Sequence, residues 1–269
     1  MTRIVGTAKR GYLDLPWGQV HHRHAGEVGQ PTLLILHQSP LSSATYDAAI
    51  GALAARGIRA VAVDTPGFGL SDHPPGEWSV EDYANAFWAV ADRLSDGPEV
   101  NLFGRATGAV FAFAMACTRP AAVRRLVLHG LPVYSAAEKA DRLKTFAPPW
   151  TFSADGSHLD WIWRRIQGEY PGLDPVLSTS FVADYLAAGT DFAAGYRAIW
   201  RYRLDATALP EDLPILLLGG SRDRISFMHE RAVRLLPRAE AVWLEGATDF
   251  VAEENPKLFA KTLGEFLSR

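Results

Sequence analysis

Val100-Asn101-Leu102-Phe103-Gly104-Arg105-Ala106-Thr107-Gly108-Ala109 runs straight into Val110-Phe111-Ala112-Phe113-Ala114-Met115-Ala116, and the whole reads as strand, tight turn and helix. Glycines two before and two after Ala106 let the backbone turn sharply without a Cβ clash. Such a turn lifts its central side chain above the end of a sheet, the placement that a G-x-S-x-G motif gives to a nucleophilic serine. Here the centre is alanine, which has no heteroatom and serves as neither nucleophile, acid nor base.

The chain has 269 residues, 48% hydrophobic and 21% charged, enough for one large core with a small insertion. A formal net charge of -3 leaves no basic footprint, which argues against nucleic acid and anionic membrane surfaces as partners. Cys117 is the single cysteine, so no internal disulfide forms and a reducing compartment is expected. No signal-like start and no apolar run of membrane-spanning length is seen. The expectation is a cytoplasmic, soluble monomer or homodimer without a cofactor.

Residues 11 to 24 read as two short strands around Pro16-Trp17-Gly18. His22 and His24 share a strand face there, but two imidazoles without a carboxylate or thiolate make a poor metal site. Thr32 to Leu36 is a continuous apolar run, as in a strand covered on both faces, and ends in His37-Gln38-Ser39-Pro40. Ala44 to Arg56 has helical character, and Arg59 to Asp64 reads as a strand leading into Thr65-Pro66-Gly67-Phe68-Gly69-Leu70-Ser71-Asp72. A helix capped by Ser79 with Asp82 follows. Further strands are expected at Arg125 to His129, Pro214 to Leu218 and Ala241 to Leu244, with helices from Met228 to Leu236 and after Asn255-Pro256. Alternating strands and helices predict an α/β fold, a mostly parallel central sheet with helices on both faces.

These landmarks resemble the α/β-hydrolase superfamily over nearly the whole chain. His37-Gln38-Ser39-Pro40 stands where that family has its oxyanion loop, Asp64 to Asp72 resembles its Asp-x-x-Gly-x-Gly-x-Ser turn, and Gly104 and Gly108 frame the elbow. By the same resemblance the catalytic acid is expected at Asp223, after the strand ending at Leu218. The family's histidine usually closes a Gly-x-x-His turn, which here reads Gly246-Ala247-Thr248-Asp249. The resemblance thus implies the scaffold with a degenerate triad: Ala106 at the nucleophile place and Asp249 at the histidine place. The pentad also resembles a variant elbow, Gly-x-His-Thr-Gly, of which it would be the alanine form.

The resemblance implies an oxyanion hole from the backbone N–H groups of Gln38 and Thr107. His37 reads as a brace for its loop, with catalysis as the alternative. Arg105 is expected to pair with Asp64 or another buried acid, or with a substrate carboxylate. Asp223 and Asp249, on adjacent loops, are expected to raise each other's proton affinity, so that one becomes an acid or base.

Residues 1–130 and 210–269 read as the core, and 131–209 as a helical cap. Ser157 begins a cap helix as its N-cap, with Leu159, Ile162, Trp163 and Ile166 on the apolar stripe and His158, Trp161 and Arg165 along its border. A second cap helix aligns Phe192, Tyr196, Ile199, Trp200 and Arg203. His158 is the cap's candidate acid or base. Ser39, Arg105, Trp161, Arg165, Tyr196, Trp200 and Phe250 are candidate binding residues for a small aromatic or carboxylated substrate. The leading expectation is hydrolase or C–C/C–O lyase chemistry on a carbonyl substrate without an acyl-serine. The alternatives are an inactive alanine variant of a hydrolase-family enzyme and a non-catalytic ligand-binding or interaction protein.

Overall fold

The computed structural model describes residues 8–146 and 150–269; the first seven residues of the expected core segment lie outside them. Its strands are β1 (Lys9–Leu15), β2 (Gly18–Ala25), β3 (Thr32–Leu36), β4 (Arg59–Val63), β5 (Val100–Arg105), β6 (Val123–His129), β7 (Ile215–Gly220) and β8 (Glu240–Leu244). Its helices are α1 (Asp47–Ala54), α2 (Val80–Leu94), α3 (Thr107–Thr118), α4 (Ala136–Thr145), α5 (Ser157–Glu169), α6 (Pro175–Ala188), α7 (Ala194–Arg201), α8 (Phe227–Leu235), α9 (Val251–Glu254) and α10 (Pro256–Leu267).

The eight strands form one sheet in the order β1-β2-β4-β3-β5-β6-β7-β8. Strands β4, β3, β5, β6, β7 and β8 are parallel to one another, and β2 alone is reversed, pairing antiparallel with both β1 and β4. The mostly parallel sheet with helices on both faces that the alternation predicts is therefore present. After β3 the chain first lays β4 on one side and then β5 on the other. In open α/β sheets such a reversal, at the carboxyl ends of the strands, is where ligands generally bind. His37-Gln38 and Ala106 are the residues that follow β3 and β5.

Strand periodicity divides the core cleanly. Leu34, Leu36, Val61, Val63, Leu102, Leu126, Leu128 and Leu217 face one layer with α2, α3 and α8. Leu33, Ile35, Ala60, Ala62, Phe103, Val127, Leu216 and Leu218 face the other, with α1, α9 and α10. Helix α3 is buried from Thr107 to Ala116, sandwiched between the sheet and α2, which explains why its sequence is apolar all round.

Two caps match the sequence reading: Ser79 and Asp82 form a reciprocal capping box, and the Asn255 carboxamide accepts from Leu258 N–H. Three boundaries differ. The stretch from Ala44 begins as a 3₁₀ turn, Ser43–Tyr46, because Ser42 and Asp64 accept the N–H groups of Ala44 and Ser43. Gly156, at φ 74°, takes the N-cap place expected of Ser157, whose own N–H donates to Asp155. The second helix of aromatic residues covers only Ala194–Arg201, so Phe192 precedes it and Arg203 follows it.

Helices α4 to α7 lie between β6 and β7 in sequence; α5 and α6 form a separate apolar cluster on the loops of the sheet, while Ala198, Ile199 and Trp200 of α7 join the layer of α2 and α3. Ile162, Ile166, Phe181, Tyr185 and Phe192 meet Leu41, Phe68 and Phe250 in that separate cluster. No helix among the described residues is long and apolar enough to cross a membrane.

Candidate active site

The turn between β5 and α3 keeps a demanding geometry. Ala106 has φ 48° and ψ -110°, and among the described residues no other non-glycine has a positive φ. A Cβ on Gly104 would stand 2.1 Å from Gly108 O, and one on Gly108 would stand 2.2 Å from Leu36 O. Both glycines are therefore dictated by backbone approaching backbone. Ala106 N–H donates to His129 O at 3.0 Å, leaving its methyl half-buried at the head of α3.

Thr107 N–H, in the first turn of α3, has no intrahelical acceptor. Among the described residues, neither it nor Gln38 N–H donates a hydrogen bond. The Thr107 hydroxyl ties the two loops together: it accepts from Ser39 N–H at 2.6 Å and donates to Ser39 Oγ at 3.1 Å. The Gln38 carboxamide has no hydrogen-bond partner among the described residues, although the residue is only 5% exposed.

His37 is fully committed. Its Nε2 accepts from Thr65 N–H at 2.9 Å, which leaves the proton on Nδ1 to donate to Gln38 O at 3.0 Å. Burial holds its pKa below the ordinary value despite Asp64 nearby. A neutral ring with both nitrogens engaged braces the loop and has no free lone pair for base catalysis. Asp64 anchors the next loop, accepting from His21, Ser43 N–H and Leu70 N–H. Burial opposes its charge, but these bonds and His37 hold its carboxyl down to about 2. Asp64 is thus not the partner of Arg105.

Arg105 instead reaches across the sheet ends. Its Nη2 lies 2.8 Å from Asp223 Oδ2 and 2.7 Å from Asp249 Oδ1, with all three residues buried. Burial disfavours the guanidinium charge, but the two carboxylates outweigh it and raise the pKa further. Asp223 and Asp249 do come together on adjacent loops, but not as the bare pair of carboxylates expected: the Arg105 guanidinium stands between them. Asp249 Oδ2 also accepts from Arg224 N–H at 2.8 Å, and Asp223 Oδ1 from Ile225 N–H at 2.8 Å. His129, at the end of β6, lies behind this cluster; burial first and Arg105 second keep its ring neutral.

The binding candidates divide. Tyr196 donates its phenol proton to Ser39 O, and burial pushes its pKa well up, so it stays protonated. Its ring stacks on Trp200 at 5.6 Å and meets Phe146 at 4.8 Å. Arg165 lies 4.9 Å over Phe146 and 5.7 Å from Trp161, and its Nη2 sits 2.7 Å from Glu169. His158 makes its contacts within residues 150 to 158 instead: it stacks on Trp150 at 5.9 Å and accepts from Ser153 N–H. Phe250 is packing, wedged between Tyr170 and Phe181 at 4.9 Å from each, and does not line open space. Sequence reasoning passed over Phe146, Glu169, Tyr170 and Arg224. The signals available were the i,i+4 spacing of Arg165 and Glu169 and the adjacency of Arg224 to Asp223.

Two cavities open elsewhere. One of about 320 Å³ is lined by Pro66, Gly67, His73, Trp78 and Tyr83; one of about 270 Å³ lies beside Leu209, Leu213, Leu236 and Phe266, at the opposite ends of β7 and β8. Ala106 lines neither. Among the described residues, no group of three or more His, Cys, Asp or Glu side chains is placed to hold a metal ion.

Residues 31–256 match the family model of the alpha/beta hydrolase fold. The chain belongs to that family. It is 24% identical to a 2-(acetamidomethylene)succinate hydrolase of Mesorhizobium japonicum, over 88% of each chain. With haloalkane dehalogenase 2 of Mycobacterium tuberculosis it shares 27% identity, over 94% of this chain and 93% of the relative. Among solved structures, an epoxide hydrolase from Vigna radiata superposes with a TM-score of 0.77 at 20% identity, covering 97% of this chain and 98% of that one. That likeness speaks to the fold alone.

Proposed function

We propose that this chain is an enzyme acting on a small carbonyl-containing substrate by oxyanion-hole and general acid/base catalysis, without an acyl-serine intermediate. The observation that carries the reading is the strained turn at Ala106, kept together with two unengaged N–H groups although the central side chain is a methyl. Positive φ at a non-glycine costs roughly 1–3 kcal/mol, and residues held in this way cluster at active sites and ligand clamps. Donors fixed in advance stabilise charge developing on oxygen without reorganising, an effect worth roughly 3–4 kcal/mol per donor in other enzymes.

In this reading a substrate carbonyl oxygen sits between Gln38 N–H and Thr107 N–H. Water attacks the carbonyl carbon, since Ala106 provides no nucleophile, and the proton it releases is taken up by the Tyr196 oxygen once that phenol has given its own proton to the departing atom, so the phenol is restored. Tyr196, protonated and held at Ser39, delivers the proton to the departing atom. Helices α4 to α7 act as a cap that excludes water from the exchange. The relatives, a hydrolase of a succinate derivative and a dehalogenase, support hydrolytic chemistry on small molecules in general. A dehalogenase reaction through an elbow carboxylate is disfavoured by Ala106.

A second reading, a ligand-binding protein without turnover, draws on Arg105, which occupies both carboxylates that the resemblance places in the triad. Titration of 4-nitrophenol in the protein's presence tests the elbow. A phenolate held between the two N–H groups is stabilised over the phenol, so the bound probe should ionise at lower pH than the free one. Binding with unchanged ionisation, or no binding, overturns the oxyanion assignment. Turnover of a carbonyl substrate then separates the enzyme from the ligand-binding protein.

A further inference from the structure

The side chains around the elbow form a closed circuit that begins and ends on the two neighbours of Ala106. Arg105 holds Asp249, and Asp249 accepts from Arg224 N–H. The Arg224 guanidinium reaches Glu169 at 3.4 Å, and Glu169 holds Arg165 at 2.7 Å. Arg165 lies on Phe146, Phe146 meets Tyr196, Tyr196 donates to Ser39, and Ser39 binds Thr107. Charge is distributed unevenly around it. At its inner side one buried guanidinium serves two carboxylates; at its outer side two guanidinium groups share one carboxylate, Glu169.

Each guanidinium carries five N–H donors. Besides Glu169, Arg165 Nε donates to Tyr185 Oη at 3.2 Å and Arg224 Nη2 to Tyr170 Oη at 3.2 Å. The other side-chain N–H groups of the two arginines have no acceptor among the described residues. Aromatic rings hold both heads in place: Arg224 lies 4.9 Å over Tyr170, and Arg165 lies 5.1 Å from Phe192 as well as over Phe146. Preorganised guanidinium groups with unmatched donors suit a planar carboxylate. Next to them, Phe146, Tyr196 and Trp200 form a three-ring cluster with centroids 4.8–5.6 Å apart.

We propose that Arg165 and Arg224 form a carboxylate clamp, and that the substrate is a small aromatic or similarly planar molecule bearing a carboxylate. Its anionic end lies outward on the two arginines, its body lies against the Phe146–Tyr196–Trp200 cluster, and its carbonyl points inward to Gln38 and Thr107. The assignment rests on the elbow being the reacting centre, as proposed above.

Binding of benzoate and of neutral benzamide to the intact protein, measured by calorimetry, tests the clamp. At low salt benzoate should bind at least about tenfold more tightly than benzamide, and the gap should narrow as salt screens the charge. Arg224→Gln should weaken benzoate about tenfold and leave benzamide unchanged, with Arg224→Lys restoring part of the loss. Arg224 is exposed, and an unchanged melting transition would confirm that the variants fold. Equal binding of the two probes to the unaltered protein, or an equal loss of both in Arg224→Gln, overturns the clamp. If benzoate is preferred but 4-nitrophenol ionises as in water, the clamp stands and the elbow assignment falls. If 4-nitrophenol shifts and benzoate is not preferred, the elbow stands and the clamp falls.

Discussion

At the scale of single residues, the arrangement at Arg105 decides what substitution can do. Replacing Arg105 with methionine would leave Asp223 and Asp249 buried without their cation. Losing one partner of a buried ion pair typically costs about 3–5 kcal/mol. The expected result in urea denaturation is a loss of that size, largely recovered when Asp223→Asn and Asp249→Asn are added. An Arg105→Met variant as stable as the starting protein would mean that the cluster contributes nothing. The same geometry bears on restoring a serine centre. Ala106→Ser alone should give no esterase activity on an activated ester, since no free base is within reach. Asp249→His, the second change needed, takes one carboxylate from Arg105 before it provides a base. The double variant is therefore expected to show weak activity at a clear cost in stability. Equal activity in single and double variants would show that position 249 does not face position 106.

At the scale of elements, strand β2 sets a pH dependence. His22 is buried against Gly11, and burial first, then His24 and His21, lower its pKa from 6.5 to about 4. In the unfolded chain the ring takes a proton below about 6.5, while in the fold it stays neutral to about 4. Between these values the unfolded state binds more protons, so stability falls as pH falls through that window. A shift of this size corresponds to about 3 kcal/mol. His22→Phe should remove about that much from the difference in stability between pH 7 and pH 4; an unchanged difference would assign the pH dependence elsewhere. Elements are also where the sequence was most readable. The apolar runs at β3 to β7, the Ser79 box and the Asn255 cap depend on neighbours within a few residues, and each appears in the fold. The site was less readable because its decisive contacts are remote in sequence. Arg105 meets Asp249 across 144 residues and Tyr196 meets Ser39 across 157. Residue type and local spacing marked Arg105 as needing a buried acid, but not which one. They also gave no hint that Phe250 would be consumed by packing. The N-cap at Gly156 was missed for a local reason: a left-handed glycine competes with a serine one residue later.

For the whole molecule, the joint between α7 and the loop after β3 is the tightest test of how the inserted helices and the sheet act together. A Cβ on Gly195 would stand 2.4 Å from Ser39 Oγ, whose hydroxyl bonds Thr107. Gly195→Ala should gain about 1 kcal/mol in helix propensity and lose a similar amount by turning the Ser39 hydroxyl away from Thr107. Near-zero net change is expected, whereas in a Ser39→Ala background the helix gain should appear in full. Additive effects in that double-mutant cycle would mean that the two segments are not coupled. The circuit around Ala106 has a further consequence, in how its ligand can be found. Its members come from positions 39, 105, 107, 146, 165, 169, 196, 224 and 249, so it exists only when nearly the whole chain is folded. A molecule that occupies it adds its binding free energy to the folded state as a unit, about 2.7 kcal/mol at a hundredfold excess over Kd. A melting-temperature screen of small carboxylates thus searches for the substrate without any assay of its reaction.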